Sequence, residues 1–411
     1  MKNILHLCVL LYVLPVNAND AISAFLLKAQ TEVAPAAFDE STATVNVLGG
    51  WLESAQFRFN ASVDNKFAFD DHAQAYEIRI KPKAWGQRAA ENTLLKLHSN
   101  QKNHQYNQQL NIALQKRYIK LVTYLEQRHA THYLLQRIQL LSQEQNLMRS
   151  RVSTQQFNAE KFLDITAILQ QAKDMADLNI SRLQALQKQL QLPLESAENL
   201  LRNPDTQWLI NIDELHNKLS GMKAMHQSAL DIQAAQLKVK MLQAESQLTK
   251  AEQQLGINLL SFEYKDSRND SMGFLLGVNI PLGTRFNRAK NKYQLYGAQA
   301  QLRANLASLK QNMHDIQLNI NWLSEEQALI HKHITRLEKQ LQKEYIQSNS
   351  VLMLGLRKDL LEQNKRSIDT RYKAIKLYLR YLALSGQLIQ LPLRNWLEQG
   401  TPELVANLEN E

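Results

Sequence analysis

The chain has 411 residues and a formal net charge of +9, and it contains only 12 glycines and 8 prolines. So few turn-forming residues exclude an all-β sandwich, a collagen-like chain and a glycine-rich disordered chain. The 48 basic and 39 acidic residues are interspersed without long runs of one sign, so no nucleic-acid partner is predicted. The single cysteine, Cys8, excludes an intrachain disulfide and a cysteine-based zinc site.

The first 18 residues have the features of a secretory signal peptide. Lys2 precedes an apolar stretch at residues 4–16, which ends in the small-residue pattern Val16-Asn17-Ala18. A membrane anchor is the alternative, but this stretch is shorter than the roughly 20 residues that a spanning helix needs. The sequence therefore predicts export, with cleavage after Ala18.

The remainder is predicted to be a tandem duplication. The motif Gln-Leu-Pro-Leu occurs at residues 191–194 and again at residues 390–393, an offset of 199. Pro82 and Pro281 have the same offset, and each ends a strand-like segment and precedes a long helical one. Two markers at one offset indicate two copies of one unit, at residues 19–208 and 209–411.

In the first repeat, residues 55–82 are predicted to form a β-hairpin. Phe57 and Phe59 alternate with polar neighbours, and this period of two gives one apolar and one polar face. The strands are expected to be about eight residues long. A long helix follows at about residues 85–149, and after a polar turn a return helix follows at about residues 159–189.

The second repeat is predicted to begin with a helix at about residues 213–254 that leads to the second hairpin; we call it the climbing helix. A hairpin at about residues 257–282, a long helix at about 285–347 and a return helix at about 356–389 follow, before a C-terminal segment. An ordinary globular core does not need helices of this length, so a coiled-coil-like assembly is expected. The predicted fold class is mainly α with a small β part.

Two local motifs and the order of elements resemble the TolC family of outer-membrane efflux and secretion channels. The segment VNIPLGTRFNRA at residues 278–289 resembles the strand-Pro-x-x-Gly-Arg junction of that family. The segment DLLEQ at residues 359–363 resembles the segment that follows its far turn. Unlike the family, the far turns of this chain have no glycine and carry Asn158 and Asn349 instead.

The resemblance implies a homotrimer that is an α-helical barrel continuous with a 12-stranded β-barrel. Such a protein is a passive duct in the cell outer membrane that extends into the periplasm. It works with a periplasmic adaptor protein and an inner-membrane transporter in efflux or type I secretion. It is not an enzyme and needs no cofactor. The apolar strand face would then meet outer-membrane lipid, and the polar face would line the lumen.

Three sets of candidate site residues follow. Glu144 and Glu344 each precede a far turn and are expected to form acidic rings at the periplasmic mouth; the alternative is that they are ordinary solvated charges. The far turns are expected to dock the adaptor through Ser153, Thr154, Asn158, Ser348, Asn349 and Ser350. The barrel lumen is expected to carry Arg58, Asn60, Glu77 and Arg79.

The sequence leaves two other function classes open. A periplasmic coiled-coil adaptor or interaction protein without a membrane barrel is the main alternative, although adaptors normally combine helical hairpins with glycine-rich β domains. A periplasmic enzyme is disfavoured because the sequence has no nucleophile–base signature, phosphate loop or dinucleotide fingerprint. His129 and His132 share a helix face but lack an evident third ligand, so no metal site is predicted.

Overall fold

The computed structural model describes residues 18–33, 52–63, 72–153, 157–190, 208–221, 229–254, 256–266, 271–279 and 285–404. Over these residues the chain is mostly helical and has one small antiparallel sheet. The predicted signal peptide, apart from Ala18, lies outside the described residues. The chain divides into two compact units, each of which draws on both predicted repeats. The first comprises Met1–Ala34, Asn107–Ala229 and Leu309–Glu411, and the second Pro35–Tyr106 and Leu230–Ser308.

The sheet belongs to the second unit and has four strands in sequential order. The strands are β1 (Leu52–Val63), β2 (His72–Pro82), β3 (Gly256–Asp266) and β4 (Ser271–Asn279), and every neighbouring pair is antiparallel. They have 12, 11, 11 and 9 residues, so they are longer than the sequence predicted. The difference arises because backbone pairing continues past the clean alternation, for example from His72 to Ala75 of β2, which pair with Val63 to Asn60 of β1.

Eight α-helices are described. They are α1 (Ala18–Glu32), α2 (Gln87–Arg149), α3 (Ala159–Leu190), α4 (Ile212–Gly221), α5 (Leu230–Glu252), α6 (Arg285–Leu341), α7 (Glu344–Gln347) and α8 (Ser350–Ser385). Within the described ranges, no helix is both long enough and apolar enough to cross a bilayer.

Some element bounds differ from those predicted. The return helix of the second repeat begins at Ser350 and not near residue 356. Gly355, next to the predicted start, disfavours helix by about 1 kcal/mol relative to Ala. The Asn349 side chain overrides this preference, because it accepts hydrogen bonds from the backbone N–H groups of Val351 and Leu352 at 3.1 and 3.3 Å. The climbing helix is described as α4 and α5, and residues 222–228 between them lie outside the described part.

The core of the first unit is built from helix seams with coiled-coil spacing. On α6 the buried positions recur every three or four residues within two runs, the first being Leu309, Met313, Ile316 and Ile320 and the second Ile330, Ile334 and Leu337. Gln327 on α6 donates a hydrogen bond to Ser367 on α8 at 2.6 Å. Leu141 of α2 packs against Leu169 and Ala172 of α3. The apolar period of 3.5 thus positions α2, α3, α6 and α8 as neighbours.

Candidate functional site

One face of the sheet is apolar and exposed. Register places Phe57 opposite Ile78, Ile78 opposite Phe262 and Phe262 opposite Phe274, so one row of large apolar side chains crosses all four strands. Phe57 is 67% exposed and Phe274 is 70% exposed. A second row contains Phe59, Tyr76, Tyr264 and Met272. A contiguous apolar surface of this kind marks contact with protein or lipid.

The opposite face of the sheet is mainly polar and holds three of the four predicted lumen side chains. Glu77 accepts hydrogen bonds from Arg79 and from the Ser261 hydroxyl, the latter at 2.7 Å. Arg58 lies opposite Glu77 across the β1–β2 pair. Asn60 pairs with Ala75 in the same register, and its side chain lies outside the described part. This face therefore presents charges that require water or ionic partners.

Within the first unit, α2 and α8 are joined by ionic contacts. Glu126 pairs with Lys376 at 2.6 Å, and Glu144 pairs with Lys358. The two acidic residues are 18 positions apart on α2, and the two lysines are 18 positions apart on α8. Eighteen residues are five helical turns, so both pairs lie along one antiparallel seam. Between them the Tyr133 hydroxyl donates a hydrogen bond to Glu362 at 2.6 Å.

The two predicted mouth carboxylates have different surroundings. Glu144 is partly buried in the seam, where the Lys358 ammonium offsets its charge. Glu344 is exposed in the first turn of α7, and it forms no ion pair with the described residues. The structure therefore does not place them in equivalent positions, although the sequence gives them similar distances to a turn.

The far turns are held by asparagine caps. Asn158 precedes α3, and its side chain accepts a hydrogen bond from the Lys161 N–H at 2.9 Å. Asn349 caps α8 in the same way. Ser153, Ser348 and Ser350 are exposed, whereas Thr154 lies outside the described residues. Because a capped helix start satisfies its own N–H groups, these turns can keep their shape without the glycine that the family usually has.

A cleft between α2 and α8 contains both histidines that share a helix face. It has a volume of 310 Å³ and is lined by His129, His132, Lys365 and Asp369 among others. Burial and, to a smaller extent, the nearby charges of Arg128, His132 and Arg371 together lower the pKa of His129 to about 4. The described residues contain no group of three or more His, Cys, Asp or Glu side chains arranged to hold a metal ion.

Sequence comparison finds no family model that matches the chain and no matching curated protein. Three solved structures are similar. The outer membrane protein VceC from Vibrio cholerae has a TM-score of 0.59 at 13% identity, over 89% of this chain and 92% of that chain. CusC has a TM-score of 0.58 at 10% identity, over 90% and 92%. The Neisseria gonorrhoeae MtrE outer membrane channel, in its open state, has a TM-score of 0.55 at 14% identity, over 90% and 87%.

These similarities confirm, at the level of the fold, the resemblance predicted from the sequence. The chain has the fold of TolC-family outer-membrane efflux channels. Sequence reasoning missed the ionic seam between α2 and α8, because its partners are more than 200 residues apart and a single sequence carries no signal for such pairs. The sequence singles out His129 as one of two histidines on a helix face, but it does not predict that this side chain is buried, because the burial depends on α8.

Proposed function

We propose that the chain is one protomer of a homotrimeric outer-membrane channel, a passive exit duct of a tripartite efflux or type I secretion system. The observation that carries this proposal is the exposed apolar face of the four-stranded sheet, with Phe57, Ile78, Phe262 and Phe274 in one row. Hydrocarbon is the environment that such a face needs when its opposite face is charged. The fold of the solved outer-membrane channels supports the same conclusion.

Three copies are proposed because the four-stranded sheet has two open edges, which pairing with the sheets of other copies would close. Among the described strands, β1 and β4 each have a single neighbour, so each leaves one edge available for pairing. Three copies with four strands each would close a barrel of about twelve strands without open edges. The strand lengths of 9 to 12 residues suit this role, because a tilted spanning strand needs about 9–11 residues. In this arrangement Arg58, Asn60, Glu77 and Arg79 line the water-filled lumen.

The helices extend the duct into the periplasm, where the far turns dock an adaptor protein. Their exposed serines and capped asparagines present a shaped polar surface at the ends of paired helices. Energy comes from an inner-membrane transporter, and the channel itself performs no chemistry. A photo-crosslinker at Asn349 is expected to capture the adaptor in cells, whereas one at the exposed Ser271 of β4 is not. Capture from Ser271 alone would contradict docking at the turns.

A pair of adjacent substitutions tests the membrane assignment. Phe274 lies on the apolar face and Leu275 on the opposite face of the same strand, and both are exposed. An arginine on the lipid side of a barrel costs about 2–4 kcal/mol near the midplane, whereas lumen positions tolerate charge. Phe274→Arg is therefore expected to reduce the trimer recovered from outer membranes, and Leu275→Arg is expected to leave it unchanged. Equal effects of the two substitutions, or a wild-type chain found wholly in the soluble periplasm as an adaptor would be, would contradict the proposal.

A further inference from the structure

The first five turns of α6 carry basic and aromatic side chains on one face. Arg288, Lys292, Tyr296 and Arg303 follow one another at spacings of four, four and seven residues, which keeps them on one side of a helix. Tyr293 flanks them and is 81% exposed, and Tyr296 is 56% exposed. We call Arg288, Lys292, Tyr293 and Tyr296 the basic–aromatic face. Ala298, which is buried, is about 120–160° around the helix from Lys292, Tyr293 and Tyr296, so these three point away from the packed side. Arg288 is about 80° from Ala298 and is exposed.

The charge around this face has one sign. Between residues 271 and 314 the sequence has six basic residues and no acidic residue; the basic ones are Arg285, Arg288, Lys290, Lys292, Arg303 and Lys310. Within the described part of the chain, Arg288 and Lys292 form no ion pair. The Lys292 ammonium lies 5.7 Å from the centroid of the Tyr296 ring, a contact that leaves the charge open to an anion.

The basic–aromatic face lies next to one edge of the sheet, beside its apolar side. Strands β2 and β4 both run antiparallel to β3, so they end at the same edge of the sheet. Helices α2 and α6 begin just after those strand ends. The same edge therefore also carries Trp85, which is 91% exposed, and the exposed Arg88 of α2. Exposed Tyr, Trp, Lys and Arg next to an apolar band are the side chains that anchor proteins at a membrane–water interface.

We propose that the basic–aromatic face of α6 binds the headgroups of anionic phospholipids in the leaflet at this edge of the sheet. This inference rests on the proposed membrane location. Arg288 and Lys292 are four positions apart, a rise of about 6 Å along the helix, which matches a headgroup layer of about 5–7 Å in each leaflet. The guanidinium and the ammonium pair with lipid phosphates. Tyr296 lies one turn further from the sheet than Lys292, on the aqueous side, and its ring contacts the Lys292 ammonium.

Lys290 provides a matched control for the test. It is exposed and lies in the same basic stretch, but it is about 200° around the helix from both Arg288 and Lys292 and is therefore off the side that these two residues share. Purified full-length protein in a neutral detergent would be titrated with phosphatidylglycerol or phosphatidylcholine at low salt, and bound lipid counted by native mass spectrometry. We expect the wild type to prefer phosphatidylglycerol. Arg288→Gln and Lys292→Gln should each weaken phosphatidylglycerol binding roughly fivefold, as expected for one basic residue at an anionic surface. Lys290→Gln should change it less than twofold.

Two outcomes would overturn the inference. Equal binding of the two lipids by the wild type would exclude anionic headgroups and leave the face to an acidic protein partner. The same loss in Lys290→Gln as in Arg288→Gln would show a diffuse charge effect without a defined face. Membrane fractionation of the wild type distinguishes failure of this inference from failure of the proposed function. A chain that is embedded in the outer membrane but shows no lipid preference refutes the headgroup site alone. A chain absent from the membrane refutes the proposed function instead.

Discussion

Acidification is expected to destabilise the first unit through one buried histidine. His129 is 7% exposed, and its Nε2 atom has no hydrogen-bond partner among the described residues. Its ring packs against Tyr372 of α8, with the ring centroids 5.6 Å apart. Protonation would place a charge in this seam close to Arg128 and Arg371, so burial and like charges both favour the neutral imidazole.

The sign and size of the effect follow from the two protonation states. The pKa of His129 falls from 6.5 to about 4 on folding, so the unfolded chain binds a proton first as the pH falls. The stabilisation is fully present above pH 6.5, declines as the pH falls towards about 4, and changes no further below it. A difference of about 2.5 pH units corresponds to about 3 kcal/mol for this group. Near pH 5 the slope is about 1 kcal/mol per pH unit.

Thermal unfolding followed by circular dichroism between pH 7.5 and 4 can measure this effect in the detergent-solubilised protein. The wild type should be compared with His129→Gln, which cannot titrate, and with His331→Gln, which removes an exposed histidine of α6. We expect His129→Gln to flatten the dependence of the unfolding midpoint on pH between 6.5 and 4, and His331→Gln to reproduce the wild type. A general loss of stability in His129→Gln would lower the unfolding midpoint at every pH, but the slope of the midpoint against pH could still be compared with that of the wild type. An identical slope in wild type and His129→Gln would refute the reasoning.

Three further predictions concern the helices. Ile320→Ala, at a fully buried position of the α6 seam, should lower the free energy of unfolding by about 2–4 kcal/mol in chemical denaturation, while the neighbouring exposed Asn319→Ala should change it by less than about 0.5 kcal/mol. Asn349→Ala removes the cap of α8 and should cost about 1 kcal/mol, seen as faster amide exchange at residues 351–353; unchanged exchange there would argue against the cap. Glu344→Gln should alter cation selectivity in planar bilayers at low salt more than Glu144→Gln, because Lys358 already offsets Glu144; the reverse order would place Glu144 and not Glu344 at the ion path.

The faces of the sheet could be predicted from sequence because a strand alternates its side chains strictly. Once Phe57 and Phe59 alternate with Gln56 and Arg58, every side chain of the segment is assigned to one face or the other. The strand ends could not be predicted, since backbone pairing continues where the alternation has faded. Register between β2 and β3 was also out of reach, because the two strands come from different halves of the chain.

The helical seams show a second limit of sequence reasoning. A long apolar period identifies a helix and its buried stripe, but it does not say which other helix covers the stripe. Glu144 appeared equivalent to Glu344 because both precede a turn, yet only Glu144 meets a lysine from α8. That difference depends on the rotation and register of two helices more than 200 residues apart. The start of α8 is set by two opposing local energies. The hydrogen bonds of the Asn349 cap stabilise the helix start by more than Gly355 disfavours it.

The symmetry of the purified particle tests the central claim most directly. The wild-type protein should be extracted from membranes in detergent and imaged by electron cryomicroscopy, with class averages viewed along the long axis. The account predicts threefold symmetry, with a closed ring of strands at the detergent-covered end and a helical tube below it. A soluble, detergent-independent particle without threefold symmetry would contradict the proposal that this chain forms an outer-membrane channel.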